Sequence, residues 1–182
     1  MADDTGTESL SPERTDLLDA LTLHRELFLG TVAGLSDEQA RLTPTASELS
    51  LGGLVKHVTA TEVQWQQFIV EGPAEDHVDW ENVDWSNPPP EVLARQAEFV
   101  LLEHESLAGV VADHRRVAAR TEELVRTVDL DASQPLPQAP WFEPGATRTA
   151  RRTFVHLVAE IAQHAGHADI IRETIDGQKS MG

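Results

Sequence analysis

Apolar side chains recur at helical spacing in several stretches of the chain. Leu17, Leu18, Leu21, Phe28 and Val32 mark the first. Ser11-Pro12-Glu13 precedes them, with Ser as the N-cap and Pro at the first helical position, and Gly34 is a natural stop. Ser36-Asp37-Glu38-Gln39 reads as a capping box opening a short helical turn. Leu51, Leu54, Val55, Val58, Trp65 and Ile69 share one face of a second helix, capped by Ser50, reaching Val70 and ended by Gly72-Pro73. After Pro88-Pro89-Pro90, mixed charged and apolar residues predict a long third helix over 89–127. Pro135, Pro137, Pro140 and Pro144 then assign 129–145 to loop. A fourth helix spans Thr149 to Asp176, with Gly177 as its C-terminal residue. Strand signals are almost absent. The pattern predicts an all-α protein, a four-helix bundle with a longer crossover connection. It forms one domain over 11–182, after a disordered acidic tail at 1–10.

Composition narrows the function. With 31 acidic against 14 basic residues the net charge is −17, a surface that repels phosphate backbones and anionic membranes. No apolar run approaches the ~20 residues that span a bilayer. The acidic N-terminus lacks the basic and apolar regions of a secretory signal, so a cytoplasmic protein is expected. There is no cysteine, which excludes disulfides, thiolate ligands and a cysteine nucleophile. Thiol chemistry here requires a sulfur brought by a small molecule.

The fourth helix carries the candidate chemistry. His156, Glu160, His164 and His167 follow at spacings of four, four and three. At about 100° per residue they fall within a sector of roughly 80°. Glu160 and His164 are one turn apart and can reach one ion, and His57, at the edge of the second helix's apolar stripe, supplies a third ligand from a facing helix. Two imidazoles and a carboxylate suit Zn²⁺ first, with Ni²⁺ or Fe²⁺ as alternatives, and three protein ligands leave the open position of a catalytic site. His156 and His167 are candidates for proton relay or for orienting a ligand. The competing reading is a solvated face with an incidental histidine ladder. Gly166 costs the helix about 1 kcal/mol relative to alanine, which suggests a ligand or another helix in close approach. Asp169 and Arg172 are spaced to pair on the helix surface. Trp141 and Phe142 either wall a pocket or pin their loop to the bundle. Trp80 and Trp85 sit in the other long loop, Trp65 is expected in the core, and His24, His77, His104 and His114 are expected to be structural or solvent-facing.

The stretch Ala139-Pro-Trp-Phe-Glu-Pro-Gly145, the run from Arg152 through His156, Glu160, His164, His167, Asp169 and Arg172 to Glu173, and Leu51-Gly-Gly-Leu54-Val-Lys-His57 with Glu62 and Trp65 together resemble the DinB-like superfamily. The likeness is to the branch holding mycothiol-dependent maleylpyruvate isomerase and thiol S-transferases. Most DinB-like proteins place two histidines four apart on the last helix, whereas the isomerase has Glu and His there. Glu160 and His164 match the Glu form, with His57 as first ligand. The resemblance implies a bundle with a metal triad at one end, a low-molecular-weight thiol such as mycothiol as cofactor, a small electrophile as substrate, and a homodimer. The isomerase carries a second, C-terminal domain that this chain does not match, so isomerisation of maleylpyruvate is not expected. The expected activity is S-transfer. The alternative is a non-catalytic metal- or ligand-binding stress-response protein on the same fold.

Overall fold

The computed structural model describes residues 9–74, 82–137 and 142–180. Four long helices make the bundle: α1 (Pro12–Gly30), α3 (Leu51–Glu71), α5 (Leu107–Thr127) and α6 (Ala150–Asp176). Two short helices, α2 (Asp37–Arg41) and α4 (Pro90–Ala97), lie in the connections. α6 packs on α1 and α3, while α5 packs on α3 and α1, giving the order α1, α6, α3, α5 around the bundle. The connections from α1 to α3 and from α5 to α6 therefore both cross it. No helix among the described residues is long and apolar enough to cross a membrane.

The caps follow the sequence. Ser11, Ser50, Ser106 and Thr149 each accept a backbone N–H of the first turn of the helix they open, and Ser36 with Gln39 forms both bonds of a capping box. Gly177, at φ 79°, closes α6 through its N–H to the Glu173 carbonyl, a conformation that favours glycine. The core gathers Leu21 and Phe28 of α1, Leu51, Leu54 and Val55 of α3, Val125 of α5, and Phe154, Leu157 and Ile161 of α6. Each such side chain contributes roughly 2 kcal/mol by leaving water.

A polar knot crosses this core. Glu62 of α3 is fully buried and accepts hydrogen bonds from Arg25 of α1 and Thr121 of α5. Gln66 donates to Thr121 Oγ1 at 2.8 Å and to the Val117 carbonyl at 2.8 Å. His114 of α5, also buried, sets its Nδ1 3.2 Å from Thr59 Oγ1. These bonds tie three helices to one register.

Four expectations need correction. The predicted third helix over 89–127 is broken: α4 ends at Ala97 and α5 starts at Leu107. Between them the chain turns in against α3, where Gly52 and Gly53 leave room. A Cβ on Gly53 would lie 1.8 Å from the Phe99 carbonyl oxygen, and one on Gly52 would lie 2.7 Å from Leu101 Cδ2. Lys56 Nζ donates to the Val100 carbonyl at 2.7 Å and to Glu105 at 2.7 Å, and Arg41 donates to the Leu101 and Leu102 carbonyls at 3.2 and 3.1 Å. These cations hold an inserted segment that helical periodicity does not reveal. Second, the proline-rich loop holds a short strand, β1 (Ser133–Pro135), which pairs antiparallel with β2 (Thr147–Thr149) just beyond the loop. Arg172, third, pairs with Asp176 at 2.9 Å and donates to the Thr31 and Ala33 carbonyls, while Asp169 accepts the Ser180 N–H at 2.6 Å. Their predicted mutual pair is replaced by contacts that tie the end of α1, through Arg172, and the segment after α6, through Asp169, to α6. Lastly, Gly166 has no protein atom within 4 Å of where a Cβ would stand, so a close helix crossing does not explain it. His77, Trp80 and Trp141, and most of the predicted tail, lie outside the described residues.

Candidate metal centre

The α3 and α6 helices are neighbours, and their facing polar positions meet where the apolar stripe of α3 thins. There His57, Glu160 and His164 come together, each half-buried, with one ligand atom from each lying within 4.8 Å of the others. The His57 and His164 rings meet edge-on at 4.9 Å between centroids. Glu160 Oε2 lies 3.6 Å from His164 Nε2, and its Oε1 lies 3.5 Å from His156 Nε2. The Nδ1 atoms of His57 and His164 are buried and lack a hydrogen-bond partner. Buried polar atoms are normally satisfied, so unpartnered imidazole nitrogens at this cluster leave bonding capacity that a further ligand would use. The donor set of two imidazoles and one carboxylate fits a divalent transition ion.

Electrostatics favour the neutral imidazoles that metal binding needs. Burial lowers the pKa of His164, with the neighbouring His57 adding to the effect against the opposing pull of Glu160. Burial also lowers that of His156, followed by the positive charge of Arg148. His167 stands beside His164 at 5.5 Å between ring centroids, and its Nδ1 is buried and unpartnered. All the predicted site histidines therefore lie in one contiguous group. His104 is exposed, His24 is half-buried and His114 belongs to the polar knot.

Sequence reasoning missed several residues. The His57 ring is stacked on Phe99, with centroids 3.9 Å apart and planes 20° apart. Glu98 Oε2 stands 3.9 Å from His57 Nδ1. Both residues belong to the inserted segment between α4 and α5, whose only advance signals were the Gly52-Gly53 pair and the Ser106 cap. Trp65, expected in the core, is half-buried on the site's flank, where it meets His156 edge-on at 4.9 Å and Phe68 at 5.2 Å. Arg148 of β2 lies over the Trp65 ring, with Cζ 4.6 Å from its centroid, and faces Phe142 at 5.7 Å.

Comparison with known proteins bears on the fold and the family. The crystal structure of a conserved protein from Enterococcus faecalis, 16% identical, superposes with a TM-score of 0.62 over 93% of this chain and 100% of that one, a likeness of fold alone. Curated proteins give no match. A family model for mycothiol S-transferases matches residues 16–177, from the first turns of α1 to the glycine that closes α6, and the chain belongs to that family.

Proposed function

We propose that this protein is a metal-dependent S-transferase. His57, Glu160 and His164 hold one divalent ion, with zinc first in order, and a low-molecular-weight thiol attacks a small electrophile. The thiol is mycothiol in a host that makes it. The observation that carries this reading is the triad itself, three ligand atoms within 4.8 Å and two buried imidazole nitrogens without partners. Family membership supports the thiol, and the absence of cysteine leaves no internal thiol to compete for the site.

A divalent ion in this position would supply the positive charge that lowers the pKa of a coordinated thiol toward neutrality. The chain's own residues do the rest. Stacking on Phe99 fixes the His57 ring. Glu160, between His156 and His164, contributes the one negative charge of the ligand set. His156 and His167 flank that set, and either imidazole accepts the thiol proton when neutral. The sulfur then forms a bond to the electrophilic carbon, and the displaced group leaves with its electron pair or, in an addition, the neighbouring atom takes up the proton. Trp65 and Phe142 provide apolar walls.

The test is thiol consumption by untagged protein with a panel of electrophiles, using mycothiol and other small thiols, before and after metal removal. Turnover that requires both the metal and His57 is expected. No turnover with any thiol in metal-loaded protein would overturn the enzymatic reading in favour of a non-catalytic binding protein.

A further inference from the structure

Arg148 heads a line of polar side chains that continues along α6 through Arg152 and His156 to Glu160. Its guanidinium is wedged against Trp65 and Phe142. Trp65 in turn touches His156, and His156 lies 3.5 Å from Glu160, so two residues link the cation to the triad. Yet its NH1 is buried without a hydrogen-bond partner, and among the described residues no carboxylate pairs with it. That is unexpected in a chain with 31 acidic and only 14 basic residues. Three positions on, Arg151 takes two carboxylates, Glu13 and Asp131.

A buried guanidinium donor left unbonded costs free energy, and contact with two aromatic faces offsets only part of it. Burial and the nearby Arg152 both disfavour its charge. A negative group bonded to NH1 would satisfy the donor and balance the two arginines. The flat guanidinium fork matches a carboxylate in shape.

We propose that Arg148 is an anion-binding residue of this site and that one of the two reactants carries a carboxylate which it receives. The role of that ligand as a reactant rests on the S-transferase reading, whereas the binding of a carboxylate at Arg148 does not. The first arm of the test therefore uses metal-free protein and no turnover. Benzoate and benzamide, alike in shape and different in charge, are titrated by calorimetry into wild type, Arg148→Gln and Arg148→Lys, each shown to be folded by circular dichroism. Wild type is expected to bind benzoate at least tenfold more tightly than benzamide. The preference should vanish in Arg148→Gln and shrink in Arg148→Lys, which keeps the charge without the fork. Equal affinities in wild type, or an undiminished preference in both variants, would overturn the proposal.

The second arm finds which reactant carries the group. KM is measured for carboxylate and amide forms of one aromatic electrophile, and for N-acetylcysteine against its amide. Arg148→Gln should raise KM about tenfold for the carboxylate form of one reactant only, with kcat nearly unchanged. A rise confined to the electrophile pair assigns the carboxylate to the electrophile, and a rise confined to the thiol pair assigns it to the thiol. A turning-over enzyme with no such rise in either pair contradicts the proposal.

Discussion

Replacing Gly53 by alanine tests how the fold builds the site. The new Cβ would stand 1.8 Å from the Phe99 carbonyl oxygen and 2.5 Å from its carbon. Non-bonded heavy atoms settle at roughly 3.5 Å, so the Phe99 backbone must retreat by roughly 1.5 Å. The intruding atom meets main chain, which cannot swing aside as a flexible side chain can. Such overpacking costs about 1–3 kcal/mol. The retreat also pulls on the bonds from Lys56 to the Ala97 and Val100 carbonyls and separates Phe99 from His57. Loss of a group that orients a ligand typically weakens a metal site by about tenfold or more. Urea unfolding of the metal-free protein measures the first effect, and competition for zinc against a chelator measures the second. Gly53→Ala with unchanged stability and unchanged zinc affinity would refute both the insertion and its role.

Three further outcomes follow from the packing. Gly166→Ala places a methyl group where nothing lies within 4 Å, so it should stabilise the protein by about 1 kcal/mol in the same urea assay; a loss of stability would contradict the open environment. Glu62→Ala removes the acceptor for buried Arg25 and Thr121 and should cost about 3–5 kcal/mol, seen as a large drop in Tm, and a variant that melts with wild type would show that the knot carries no stability. His114 is held near a pKa of about 4 by burial, helped by Arg25 and Arg115. The unfolded chain therefore takes up that proton first, near pH 6.5, and stability falls between there and pH 4 but not above. Over this window the single group accounts for about 3 kcal/mol. The advantage of wild type over His114→Gln should shrink by that amount from pH 7 to pH 4 in metal-free protein, and an advantage independent of pH would exclude a neutral buried imidazole.

What the sequence made legible was local and periodic. The helices of the bundle, their serine and threonine caps, the capping box at Ser36 and the terminal Gly177 are set by neighbours a few residues apart. The α6 ladder was readable for the same reason, since one helix dictates the directions of His156, Glu160, His164 and His167. The meeting of His57 with Glu160 and His164 required only that α3 face α6, which its apolar stripe arranged. Long-range contacts stayed hidden. Nothing near Phe99 announces that it will pass beneath Gly53, because the partners lie on separate elements and the intervening residues have respectable helical patterning. Arg148 likewise carries no mark in the sequence, and it is β2 that sets it over Trp65. Asp169 and Arg172 had the right spacing for each other, yet the end of α1 offered Arg172 two carbonyls, and a geometrically ideal surface pair lost to a partly buried clamp.

Everything proposed for this protein's chemistry depends on His57, Glu160 and His164 holding one metal ion. The most direct measurement is elemental analysis of untagged protein equilibrated with zinc and then desalted, for wild type and for His57→Ala, Glu160→Ala and His164→Ala. Wild type should hold about one ion per chain, in keeping with a single three-ligand centre, and each variant little. Metal-free wild type, or variants that keep the same metal content as wild type, would contradict it.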